Sequence, residues 1–212
     1  MKNLLNPDGP VMVLITKIAQ TAWLNILWFV FSLPVITLGA STTALYTVTL
    51  KMVSDDEGGI THSFIDAFRS NLKSSTKVWG ILMIFGFVLA VDGYVLSRLR
   101  YENAFWTLIT ALVIVAAAAY CFILLYVFPL MARFENTTLA MLKNSLFIAI
   151  RYLICTACLA AIHFGMVLVV VRFFTPAIIF GEGLVAYLCS CLLKGVLTQL
   201  EPPEETSEEE MS

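Results

Sequence analysis

The chain has 212 residues, of which 59% are apolar and only 13% charged, about half the charged share of an ordinary soluble domain. A soluble fold of this size must clothe its surface in polar groups it does not have, and the mean hydropathy of +0.87 agrees. The net charge of −2 offers no basic excess for a nucleic acid, so composition excludes both a soluble domain and a nucleic-acid binder.

The charge-free gaps show where the chain can cross a bilayer. Residues 18–50, 103–132 and 152–171 carry no charge at all, and about 20 apolar residues suffice for one crossing. Two further stretches, Val78–Leu96 and Phe173–Leu193, each carry one internal acid, Asp92 and Glu182. Five crossings follow directly. The first gap is too long for one helix, and Pro34 lies near its middle, where proline removes a hydrogen bond and clashes with the preceding turn. Six spans are therefore predicted, at about 12–33, 35–53, 78–96, 106–128, 152–171 and 173–193, within a single membrane-embedded domain over residues 1–200. The alternative is one crossing followed by an interfacial or re-entrant segment at Val35–Val53.

Lysine and arginine favour the six-span count, because basic loops stay cytoplasmic. Six spans place ten bases on one side and three on the other; five spans make it eight against five. Both termini are then cytoplasmic, in the cell membrane. A cleavable leader is not expected, since Asp8 and Pro34 interrupt the pattern such a segment requires. The last stretch, Glu201–Ser212, holds six glutamates and two prolines and reads as a disordered acidic tail. Without those six acids, residues 1–200 carry thirteen bases against nine acids, a charge of +4.

Two loops end in basic amphipathic segments, predicted as interfacial cytoplasmic helices. In Ser63–Lys77, Phe64, Phe68 and Leu72 recur at four-residue spacing, with Arg69, Lys73 and Lys77 elsewhere; such a helix rests in the headgroup layer or against a soluble partner. A shift of 74 residues brings Phe68-Arg69 onto Leu142-Lys143, Lys77 onto Arg151, and Val35–Val53 onto Ile109–Val127. That register is what a parallel duplication would leave, or what any two spanning segments share. Gly39, Thr43 and Thr47 form a small-residue stripe beyond the Pro34 turn, the pattern by which helices approach closely in lipid.

Ionisable groups inside a bilayer are costly, so each is a candidate for function. At 1.5 Å per residue, Asp92, His163 and Glu182 lie about 6, 12 and 13 Å from the outer ends of their helices. Together they would line a polar cavity. Each also has a structural reading: Asp92 pairs with Arg98, His163 bonds a backbone carbonyl, and Gly181 and Gly183 around Glu182 admit a neighbouring backbone. The five cysteines read as small packing residues, and their spacing suits neither a metal site nor disulfides. The acids beside His62 lack calcium-loop spacing. No signature of a soluble enzyme is present, and no cofactor is expected.

Several blocks then resemble one family. Asn6-Pro7-Asp8, Leu33-Pro34-Val35-Ile36-Thr37-Leu38-Gly39-Ala40, Thr43-Ala44-Leu45-Tyr46, Asp56-Glu57-Gly58, Asp92 and Phe128-Pro129-Leu130 with Ala132-Arg133-Phe134-Glu135-Asn136 resemble the YesL-like family of bacterial membrane proteins. The Pro-x-x-Thr-x-Gly-Ala centre is the most specific part, and Glu182 falls outside the pattern. The resemblance implies a membrane domain of unknown function, often encoded near genes for carbohydrate uptake and breakdown. It makes subunits of a sugar import system the expected partners. A solute carrier using the polar residues is the alternative, and a membrane-embedded enzyme ranks last.

Overall fold

A computed structural model describes residues 10–54, 58–98, 104–172 and 177–200. These form seven α-helices: α1 (Pro10–Ser32), α2 (Leu38–Val53), α3 (Ile60–Arg98), α4 (Ala104–Arg133), α5 (Thr138–Arg151), α6 (Leu153–Arg172) and α7 (Ala177–Thr198). No strand occurs among the described residues. The acidic tail and the turn Asp55–Glu57 lie outside them.

The bundle is apolar on its outside as well as in its core, and small polar groups are buried within. The interior holds Asn25, Thr43, Thr49, Ser75, Ser145 and Ser190 with no exposed surface at all, while Phe87 (70%), Val115 (66%) and Ile154 (85%) face outward. Only a solvent as apolar as those side chains tolerates that arrangement, and only helices satisfy their own backbone groups within it. Five helices are long and apolar enough to cross: Val11–Ser32, α3, Phe105–Arg133, α6 and Gly181–Thr198. The protein is an all-helical integral membrane protein.

The sixth predicted segment is shorter and more buried than a lipid-facing span. Val35–Val53 becomes a 3-10 turn at Val35–Thr37 followed by the 16-residue α2, about 24 Å long against a hydrocarbon core of about 30 Å. Twelve of its residues are buried, so α2 is neither a lipid-facing span nor an interfacial segment. It is the centre of the bundle, packed on α1, α3, α4 and α7. The hairpin with α1 is antiparallel: Ser32 and Ser41 share a hydrogen bond of 2.6 Å near the turn, and Lys17 Nζ donates to the Met52 carbonyl at the open end (3.2 Å). The chain thus returns to the end from which α1 starts, which preserves the parity that the base count requires.

The Pro-x-x-Thr-x-Gly-Ala block has a local physical meaning here. Pro34 stops α1, and the Thr37 hydroxyl lies 2.7 Å from the Phe31 carbonyl and 2.8 Å from that of Pro34. Gly39 then lets α3 close in: a Cβ there would stand 2.7 Å from Trp79 Cβ and 2.8 Å from the Ser75 carbonyl oxygen.

The amphipathic segments also depart from expectation. Ser63–Lys77 is not a separate interfacial helix but the first half of the unbroken, 39-residue α3, which runs on into the predicted span. Phe64 is fully buried, and Phe64 and Phe68 pack on Phe31 of α1 at ring-centroid distances of 5.6 and 4.8 Å. That aromatic face serves the interior and leaves Phe64 no contact with lipid or partner. The corresponding stretch after α4 is a helix of its own, α5, which breaks from α6 at Tyr152. The two halves related by the 74-residue shift therefore differ in both their short and their long helices.

Candidate functional site

A chain of polar groups ties α2 to α7. Thr49 and Ser190, both fully buried, share a hydrogen bond of 2.8 Å, and Lys194 Nζ donates to the Val53 carbonyl at 3.0 Å. One turn further in, Tyr46 and Cys189 are both buried in the core. The hydroxyls recur because a polar group left unpaired in hydrocarbon costs several kcal/mol (roughly 4–8 in the strictest reference solvent), and facing helices pair them instead.

Above this ladder lies the site. Glu182 lies beside Gly183 on α7, the helix that packs against α1, α2 and α6. Gly183 brings α1 against this point, since a Cβ there would stand 2.8 Å from the Thr21 carbonyl oxygen and 3.0 Å from Asn25 Cβ. Asn25, with no exposed surface, accepts the Gly183 N–H on Oδ1 at 2.6 Å, while its Nδ2 has no hydrogen-bond partner. Two helices thus meet α7 through polar groups here, α1 by Asn25 on Gly183 and α6 by His163 near Cys189.

His163 fixes what the cluster can do. Its Nδ1 lies 2.9 Å from the Leu159 carbonyl, and a carbonyl only accepts, so Nδ1 carries the proton and Nε2 is left for other chemistry. The Cys189 sulfur stands 3.9 Å from that same Nδ1 and is fully buried. The imidazole nitrogen nearest the thiol therefore has no free lone pair to take its proton.

Of the three residues expected to line one cavity, His163 meets α7 at Cys189 (3.9 Å), about two helical turns along α7 from Glu182. Asp92 is exposed on α3 and stands apart, and Arg98 lies over the Tyr94 ring at 5.3 Å. The stripe after Pro34 faces inward: Thr43 shares a hydrogen bond of 2.9 Å with Ser75 of α3, and Thr47 donates to the Thr43 carbonyl. Sequence reasoning missed Asn25 and Tyr46, and set Cys189 aside as packing. An amide within a charge-free gap was the available signal for Asn25.

The bases first read as a membrane or partner surface are all exposed: Arg69, Lys73 and Lys77 on α3, Lys143 and Arg151 on α5. A cleft of about 300 Å³ opens between α3, through Ser70, Asn71 and Ser74, and the end of α4 with its following turn, through Met131, Glu135 and Asn136, with Met141 of α5 at its side.

Residues 21–93 match the family described as "Protein of unknown function, DUF624". That stretch covers α1 from Thr21, all of α2 and most of α3, and contains the Pro34 turn. The chain is also similar to the "Uncharacterized protein YteU" of Bacillus subtilis (strain 168), 22% identical over 190 residues, 87% of this chain and 83% of that protein. No solved structure matches it.

Proposed function

We propose that this chain is a non-enzymatic subunit of the cell membrane, with both termini cytoplasmic, that assists a carbohydrate import system by docking one of its components. The supporting observation is the set of exposed bases on two helices that touch, Arg69, Lys73 and Lys77 on α3 and Lys143 and Arg151 on α5. Such a surface suits a partner with an acidic face, because charge pairs at an interface rim steer association. The sugar class rests on the YesL-like resemblance. Affinity purification from cells grown on a range of sugars should recover transporter components, and Arg69→Glu with Lys143→Glu should reduce that recovery several-fold. Recovery of no transporter component on any sugar ends this reading.

A second reading has its own support. Glu182 and His163, with Asn25 Nδ2 unpaired nearby, are what an intramembrane solute or proton site requires. A carrier of this kind should lose about tenfold or more of its sugar uptake in reconstituted vesicles on Glu182→Gln, the scale of one charge-assisted hydrogen bond. Asp92→Asn should leave uptake intact. Uptake indifferent to Glu182→Gln rules the carrier out.

A further inference from the structure

The corner between α5 and α6 holds a groove that neither reading uses. α5 ends at Arg151, and Tyr152 breaks the helix with φ −112° and ψ 54°. The break is held in place. Thr156 donates its hydroxyl to the Ala149 carbonyl at 2.7 Å and lies 2.9 Å from the Tyr126 hydroxyl of α4. The Tyr152 hydroxyl donates to Gln199 Oε1 just past α7 (3.0 Å). Arg151 is thus carried on a corner anchored to two other helices, with its guanidinium 5.9 Å from the Tyr152 ring.

From this corner a groove of about 580 Å³ runs between α6 and α7, lined by Leu153, Ile154, Cys158, Leu192 and Val196 beside Arg151. Its size is ordinary for a small-ligand site. Both flanking helices are membrane spans, so the groove opens toward hydrocarbon, and Ile154 at its edge is 85% exposed. Arg151 is the charged residue of the lining, at the end of the span, where the phosphate layer of a bilayer begins. An arginine there matches a phosphodiester through two parallel N–H donors, and basic pockets between spanning helices favour anionic headgroups.

We propose that this groove is a binding site for one anionic phospholipid, its phosphate on Arg151 and an acyl chain along Leu153, Cys158, Leu192 and Val196. Charge complementarity selects the occupant. A peptide would bring unpaired backbone groups into hydrocarbon, and a zwitterionic lipid would bring a compensating cation to Arg151. The site is independent of any solute or partner and of which side of the membrane the corner faces.

Native mass spectrometry of the full-length protein decides it, after incubation with phosphatidylglycerol or phosphatidylcholine of identical chains. The wild type should retain phosphatidylglycerol about fivefold better, the increment one basic residue provides near a membrane surface. Arg151→Ala should erase that preference, Arg151→Lys should keep part of it, and Cys158→Trp, which fills the groove, should weaken retention of both lipids. Equal retention of the two lipids by the wild type overturns the proposal. So does an Arg151→Ala variant with its preference intact, or a dimer that Cys158→Trp dissociates without changing lipid retention. Should Arg151→Ala fail to fold, the wild-type comparison and Cys158→Trp still decide.

Discussion

Gly39→Val should lower the apparent thermal midpoint of the purified protein by roughly 6–12 °C, taking about 3 kcal/mol for overpacking and 2–4 °C per kcal/mol at this chain length. The obstacles at Gly39 are the Cβ of Trp79 and the backbone carbonyl of Ser75, with Phe128 Cε1 at 3.3 Å completing the wall. None of the first two is the end of a flexible side chain, so α2 and α3 must separate. That separation would strain the Thr43–Ser75 hydrogen bond one turn away (2.9 Å) and the bond from Trp79 Nε1 to the Val35 carbonyl (2.8 Å). Trimming Trp79 to alanine should not rescue the variant, because its Cβ remains. Gly80→Val is the control, since a Cβ at Gly80 meets nothing within 4 Å. Thermal unfolding followed by size-exclusion chromatography reads both; equal midpoints would refute the close approach of α2 and α3.

Phe64→Ala should cost about 3–5 kcal/mol, the range for removing a buried aromatic ring. Phe64 has no exposed surface and lies in a three-ring cluster with Phe31 and Phe68. Leu72, on the same predicted apolar stripe, is 38% exposed, and Leu72→Ala should cost about 1 kcal/mol or less. An interfacial helix predicts no such ranking: small stability losses at both positions and weaker vesicle association for each. The ratio of the two stability losses therefore separates a face buried in protein from one resting on lipid. Similar losses for Phe64→Ala and Leu72→Ala would restore the interfacial helix.

Much of the fold was legible from charge order. Five of the predicted spans correspond to helices that are long and apolar enough to cross, because the cost of a charge in hydrocarbon leaves long gaps that need no tertiary information to read. The Pro34 turn was equally visible, since proline breaks a helix through its own covalent geometry. The misreadings share one cause. Val35–Val53 passes for a lipid-facing segment, and Phe64 and Phe68 for a lipid face, because in a membrane protein both the bilayer and the protein interior accept apolar residues. Periodicity finds the apolar face but does not say which of the two it meets.

The site was half legible for the same reason. Glu182 and His163 stood out as ionisable groups in apolar stretches, and the glycines around Glu182 signalled a close neighbour, which proved to be Thr21 and Asn25 of α1. That Asp92 stays outside, and that Tyr46, Asn25 and Cys189 join, depends on which way each helix turns about its axis. By itself the sequence determined that the chain is a helical membrane protein, where it turns, and which residues are expensive to keep in lipid. The tertiary structure alone decided that α2 lies in the core, away from lipid, and which polar residues meet. Those outcomes depend on pairings between helices distant in the chain, such as Asn25 with Gly183 and Thr49 with Ser190, which no local pattern encodes.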